Sequence, residues 1–254
     1  MTQEIVVDLA KVPWDSMKGK NGVTYLTQMG LDGSEGPELV RLRAVGHDSD
    51  PHYHTGAQFQ IFLDGYAQFP DFRLEAVGVH YTDHNVPYGP FNGDHDMIVI
   101  HAKPAGRRAM KDVIKSEVLR QEINRSGRQF HGSTNTLEWE PVPGHEGARR
   151  KVLIPESAGV SAQIVACPPG TALPETPAPY GRYEFVIAGT ALREGDRLGP
   201  ECVRFVCGAE RPAPLIAGSE GATVLVVTFD EDAAVSYGGG IREDMAKYSQ
   251  SFQR

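Results

Sequence analysis

The chain has 254 residues, with 25 Lys and Arg against 33 Asp and Glu, a net charge of −8 and 40% apolar residues. An acidic chain without a run of Lys or Arg offers no basic face for nucleic-acid phosphates, and no stretch reaches the roughly 18 apolar residues of a membrane span. The first residues, MTQEIVVDLAKVPWD, carry no signal-peptide core, and three Cys (Cys167, Cys202, Cys207) build no disulfide framework, so a reducing cytoplasm is the expected compartment.

In chain order, the first strong pattern is ELVRLRAV (38–45), which alternates apolar and polar residues as a half-buried strand does. AQFQIFLDG (57–65) continues the alternation and ends in Asp-Gly, a hairpin signal. FRLEAVGVHY (72–81) and DMIVIHA (96–102) follow as strands. AMKDVIKSEVLRQEINR (109–125) changes period: Met110, Val113, Ile114, Glu117, Val118 and Gln121 fall at helical spacing, and Ser126–Gly127 offers a stop. RKVLIP (150–155), SAQIVAC (161–167), YEFVIAG (183–189), VRFVC (203–207) and TVLVVTF (223–229) then return to strand, and a short helix is expected over 241–252. The 28 Gly and 18 Pro are spread between these segments as turn punctuation.

A shift of 124 residues lays the second half on the first. Gly46 falls on Gly170, Gly65 on Gly189, and AQFQIFLDG on GRYEFVIAG (181–189). Such duplication of an all-β unit predicts two similar barrels or sandwiches in tandem, joined by the helix.

Within GHDSDPHYHTGAQFQIFLDG (46–65), His52 and His54 are one residue apart, which on a strand turns both imidazoles to one face, as two ligands of one metal require. Gln58, four residues on, can add an oxygen. The segment resembles the first motif of the cupin superfamily, in which a Gly, five residues, His-x-His, three or four residues, a Glu, six residues and a Gly occur in order. Gly46, His52, His54 and Gly65 stand in those places, and Gln58 stands where the family has Glu. The second cupin motif is matched by DHNVPYGPFN (83–92): Asn92 fits the final place, Tyr88 stands where the third His belongs, and Asp83 and Asn85 replace a Pro and a Gly. The 124-residue shift maps His52 to Thr176, His54 to Ala178, Gln58 to Arg182 and Tyr88 to Pro212, so the second half keeps none of these donors.

The resemblance implies an all-β fold of two tandem cupin-type jelly-roll barrels. Residues 1–104 would form a cupin domain with the metal site, 105–130 a helical linker, 131–237 a second cupin domain without a metal, and 238–254 a tail. It implies one divalent metal ion, with Fe(II) favoured and Mn, Ni, Cu or Zn open, and pairing into a homodimer.

Expected metal ligands are His52, His54 and Gln58. A further ligand must come from Tyr88, from His84, or from His80, His95 or His101 on neighbouring strands. Tyr88 and His84 are also the expected catalytic proton carriers. Arg41, Arg43, Phe62 and His101 are expected at the substrate pocket, an inward Arg clamping a carboxylate or enolate, although a solvent-facing Arg satisfies the same alternation. Phe59, Phe62, Phe69, Phe72 and Phe91 are expected to line the first barrel. The three Cys read as buried structural thiols. The activity implied is oxidation of a small enolisable or aromatic compound by a non-haem iron dioxygenase. The rivals are a redox-neutral lyase, isomerase or hydrolase on the same scaffold, and a binding or sensing protein without catalysis.

Overall fold

A computed structural model describes residues 3–19, 23–33, 36–103, 105–175, 180–208 and 212–231. Its strands are β1 (Gln3–Asp8), β2 (Asp15–Lys18), β3 (Thr24–Asp32), β4 (Glu38–Ser49), β5 (His52–His54), β6 (Gln58–Gln68), β7 (Arg73–Glu75), β8 (Gly78–Thr82), β9 (Phe91–His101) and β10 (Arg107–Ala109). After two short helices, α1 (Met110–Val113) and α2 (Glu117–Gln121), come β11 (Gln129–Ser133), β12 (Glu140–Pro141), β13 (Arg149–Ser157), β14 (Val160–Cys167), β15 (Arg182–Arg193), β16 (Asp196–Leu198), β17 (Cys202–Cys207) and β18 (Ile216–Thr228). Among the described residues no helix is long and apolar enough to cross a membrane.

Two eight-stranded antiparallel sheets share one strand order. The first runs β11-β8-β6-β9-β4-β3-β2 with β7 on β6, and the second β1-β17-β15-β18-β14-β13-β12 with β16 on β15. The correspondence reaches single glycines. Gly65 and Gly189 both hold positive φ, 74° and 71°. A Cβ at Gly65 would lie 2.0 Å from the Asp94 carbonyl oxygen, and one at Gly189 would lie 2.2 Å from that of Gly221. Two strands cross between the sheets: β1, first in the chain, closes the second sheet against β17, and β11 closes the first against β8.

Alternation sets what each strand presents. On β6, Phe59 and Ile61 join the core between the sheets, with Tyr81, Ile98 and Ile100 on one side and Tyr183, Phe205 and Leu225 on the other. Gln58, Gln60 and Phe62 point the opposite way, into the first sheet's own interior, where Phe62, Phe69, Tyr88, Phe91 and Met97 pack, with Phe72 against them. Phe59 therefore packs between the sheets (ring centroids 4.8 Å from Tyr81 and 5.0 Å from Phe229) and not in the first sheet's interior, correcting the expectation that all five Phe line the first barrel. The second sheet encloses its own apolar cluster around Val165, Val186, Val224 and Val226.

Three local expectations change. Asp64–Gly65 makes no hairpin: β6 runs on to Gln68, and the register shift between Phe62 and Asp64 makes the dipeptide a bulge. The strand expected over 72–81 is broken into β7 and β8, both paired to β6. The helix expected over 109–125 is broken too, because Ser116 starts a new one, its side chain accepting from the Leu119 N–H at 3.3 Å. Only Val113 of the two helices is buried, and Ile114 and Val118 are exposed. The helix expected over 241–252 lies outside the described residues. Cys167 and Cys202 are buried free thiols, as expected, whereas Cys207 is half-buried.

Candidate functional site

The three residues of β5 are held by backbone bonds on both sides. Arg107–Ala109 of β10 pair with His54–His52, and His52 exchanges backbone hydrogen bonds with Tyr88 at 3.1 and 2.9 Å. The pairing sets Tyr88 against His52, and their side chains meet. His52 Nδ1 is 2.7 Å from the Asp50 carbonyl, which can only accept, so Nδ1 carries the proton and Nε2 the lone pair. The Tyr88 hydroxyl, 2.6 Å away, donates to Nε2. The same hydroxyl accepts from Gln60 Nε2 at 3.4 Å, and Gln60 Oε1 accepts from His80 Nδ1 at 2.8 Å. One chain of hydrogen bonds thus links Asp50, His52, Tyr88, Gln60 and His80.

Beside it lies a second row with the opposite property. Gln58 of β6 stands across from His101 of β9, and His101 stands across from Glu38 of β4. The His54 ring stacks on His101, centroids 5.2 Å apart, and lies 5.3 Å from His52. Six buried atoms of this row make no hydrogen bond: His54 Nδ1, both amide atoms of Gln58, both ring nitrogens of His101, and Glu38 Oε2. His101 Nδ1 approaches Glu38 Oε2 to 3.0 Å without the alignment of a hydrogen bond. Gln58 likewise lies beside the Tyr88 hydroxyl, near enough to lower its pKa, without aligning to it.

Burial sets the charge of the group. It pushes His52 down to about 4, with the positive field of Arg107 adding, against the Asp50 carbonyl. It holds His54 well below its ordinary value, helped by His101, His52 and Arg107, and pushes His80 down to about 3. Burial also raises Tyr88, keeping it a phenol. These side chains are neutral at neutral pH, the state in which an imidazole can ligate a metal.

The orphaned Gln58 and His54 Nδ1 fit a divalent ion, because each buried polar atom is missing a partner that an ion would provide. His52 does not fit as it stands, since both its nitrogens are engaged. Among the described residues no three His, Cys, Asp or Glu side chains are placed to hold a metal, so an ion here must draw on the amide of Gln58 or on the phenol of Tyr88.

The other expected site residues fall as follows. Phe62 is fully buried in the apolar cluster that also holds Tyr88. His84 lies beside Asn85 on a turn, half-buried, its carbonyl accepting from Asn124 Nδ2 at 3.4 Å. The Tyr88 hydroxyl bonds His52 Nε2 and Gln60 Nε2. His95 sits elsewhere, with His47, ring nitrogens 2.9 Å apart.

Arg41 and Arg43 do not reach the His52–His54 cluster. Alternation turns Leu42 inward and both Arg outward, where Arg41 clamps Asp96 with two bonds of 2.7 and 2.8 Å and Arg43 reaches it at 2.6 Å. Arg41 also reaches Glu201 at 3.0 Å, and both cations lie over Trp14. Their carboxylate partner belongs to the protein itself. Gln60, Glu38 and His80 were not singled out as a network with the His pair. The alternations Gln58-x-Gln60 and Glu38-x-Val40-x-Leu42 carried the signal for the first two.

No protein-family profile matches the sequence, and no curated protein aligns with it. Solved structures do. A "putative dioxygenase" from Nostoc punctiforme superposes with a TM-score of 0.64 at 14% identity, over 94% of this chain and 88% of its own. A variant of oxalate decarboxylase from Bacillus subtilis gives 0.61 at 12%, over 89% and 77%. The oxalate decarboxylase of Lactobacillus farciminis, in complex with formate, gives 0.54 at 12%, over 87% and 85%. The fold is the all-β cupin jelly roll. At such identities the cupin likeness extends to the fold alone, and the chemistry has to be argued from the side chains of the site.

Proposed function

We propose that this chain is a metal-dependent enzyme of the cupin fold that uses dioxygen to oxidise or cleave a small enolisable or aromatic compound in the interior of the first sheet. The observation that carries the reading is the row of buried polar atoms without a hydrogen bond on His54, Gln58 and His101, with the Glu38 carboxylate behind His101. The likeness to the Nostoc protein supports it. Bound Fe(II), the first choice for an imidazole-rich site, would supply Lewis acidity toward substrate oxygens and access to dioxygen.

His54 and Gln58 would hold the ion, while His52 stays engaged at both nitrogens by the Asp50 carbonyl and the Tyr88 hydroxyl. The protein's own part is positioning and proton handling. Tyr88, kept a phenol, would relay a substrate proton to His52 Nε2 in one concerted shift, taking it on its oxygen as its own proton leaves, with Gln60 steadying that oxygen. A substrate hydroxyl or enol beside Tyr88 would therefore find a proton carrier whose partner is already aligned. Phe62, Phe69, Phe91 and Met97 pack with Tyr88 as an apolar cluster, which would exclude water from the proton-handling pair. Arg41 and Arg43 being spent on Asp96, neither clamps a substrate carboxylate.

The likeness to oxalate decarboxylases favours one second reading, a redox-neutral lyase on the same cavity. Oxygen uptake by the Fe(II)-loaded protein against a panel of diketones, enols and catechols tests the choice. Turnover that stops under anaerobic conditions is expected. Turnover that continues without dioxygen would overturn the oxidative reading in favour of the lyase.

A further inference from the structure

The metal ligands suggested by sequence order are His52 and His54, but the described geometry places their free donor atoms differently. His52 is closed at both nitrogens, by the Asp50 carbonyl at 2.7 Å and the Tyr88 hydroxyl at 2.6 Å. His101 is open at both, although only 3% of it is exposed. Its ring stacks on His54, it stands directly across the β-ladder from Gln58, and its Nδ1 faces the Glu38 carboxylate at 3.0 Å. His80 also has an unpaired Nε2, but it stands across from Gln60, one pair further along, with its ring against Phe69 at 4.8 Å.

We infer that the third donor of the centre is His101, so that the ion is held by His54, Gln58 Oε1 and His101 Nε2, while Glu38 stands behind His101 as the positioning carboxylate. This rests on the metal-dependent reading above and specifies its ligands. The physical logic has two parts. A carboxylate facing Nδ1 keeps the proton there, leaves the lone pair on Nε2 and makes that nitrogen a better donor. It also brings negative charge close to a cation whose direct ligands, two imidazoles and an amide, are all neutral. Glu38 is thus the charge that Gln58, standing in place of a glutamate, does not provide. The set contains only two His and one amide as direct ligands, which agrees with the absence of any three-membered His, Cys, Asp or Glu group among the described residues. Tyr88 and His52 then stay paired beside the ion as the proton-handling couple and are not consumed as ligands.

The test is Co(II) binding by calorimetry to the full chain and to His101→Asn, Glu38→Gln and Glu38→Asp. For each, the thermal transition is checked against the parent. His101→Asn is expected to weaken Co(II) at least about tenfold, Glu38→Gln by roughly 10–100-fold, the range for removing a carboxylate behind a ligating His, and Glu38→Asp to recover part of that loss. In Cu(II)-loaded protein, the imidazole signature in pulsed electron paramagnetic resonance should fall from two rings to one in His101→Asn. If His101→Asn fails to fold, the Glu38 pair carries the test. Parent-like Co(II) affinity in folded His101→Asn or in Glu38→Gln would overturn the inference and leave the metal-dependent reading intact. A parent that takes up no Co(II) would overturn both.

Discussion

Tyr88 takes the place that the sequence motif reserves for an imidazole, and its hydroxyl rests on the one lone pair that His52 has to offer. Burial keeps it protonated, so it holds His52 by a hydrogen bond and does not act as an anionic ligand. Tyr88→Phe is therefore expected to leave Co(II) affinity within a factor of about five, as one hydrogen bond is worth on the order of 1 kcal/mol. A tenfold or greater loss, read by the same calorimetry, would make Tyr88 a ligand. Gln58→Glu makes the opposite change, putting a charged oxygen where a neutral one stands. It should tighten divalent binding by on the order of tenfold, since hard and borderline cations prefer carboxylate to amide. No gain would remove Gln58 from the ligand set. At this scale much was legible. The one-residue spacing of His52 and His54 and the match of Tyr88 to the third His place are both reflected in the backbone pairing of His52 with Tyr88. What sequence could not show is which nitrogen is occupied, because that depends on the Asp50 carbonyl and the Tyr88 hydroxyl arriving from separate turns.

On β4 a single register decides two functions. Glu38, Val40 and Leu42 share the face toward the first sheet's interior, while Leu39, Arg41 and Arg43 share the other. The sequence showed the alternation but not its sense, and so Arg41 and Arg43 were expected at a substrate and Glu38 was passed over. The partner that fixes the sense is Asp96 on β9, far along the chain, whose carboxyl is pushed up by burial but held low by hydrogen bonds from Arg41 and Arg43, which outweigh it. Removing that carboxylate leaves Arg41, 4% exposed, without its bidentate partner. Asp96→Ala should cost about 3–5 kcal/mol, the range for breaking a buried pair from one side, measured by urea unfolding. A change below 1 kcal/mol would mean that Glu201 and water replace Asp96 fully. The helical segment failed for a related reason. Its apolar spacing was read as one amphipathic face, yet Ser116 can cap a new helix, and local capping outweighed a pattern that leaves Ile114 and Val118 in solvent.

The whole molecule is a repeated sheet plan, and that repetition was readable because Gly65 and Gly189 recur where backbone crowding forbids a side chain, and Gly46 and Gly170 where φ is positive, 66° and 73°. The exchange of β1 and β11 between the sheets was not readable, since strand pairing of this range leaves no local mark. The interior of the first sheet, crowded with histidine, also gives the molecule a distinctive response to acid. His47 and His52 are pushed down to about 4 and His80 to about 3, in each case chiefly by burial. The unfolded chain takes up these protons near pH 6.5 while the native chain does not, so stability is lost as pH falls from about 6.5 toward 4. Each such proton contributes a slope of about 1.4 kcal/mol per pH unit. Urea midpoints should therefore hold level from pH 7.5 to about 7 and fall from about 6.5 to about 5, ahead of most carboxylate protonation, and a flat profile would mean that these rings are hydrated. The central claim, that the first sheet encloses a metal centre, is tested most directly by elemental analysis of protein purified without added metal, alongside His54→Ala. The account predicts close to one transition-metal ion per parent chain and almost none in a folded variant. A metal-free parent, or equal metal in both proteins, would contradict it.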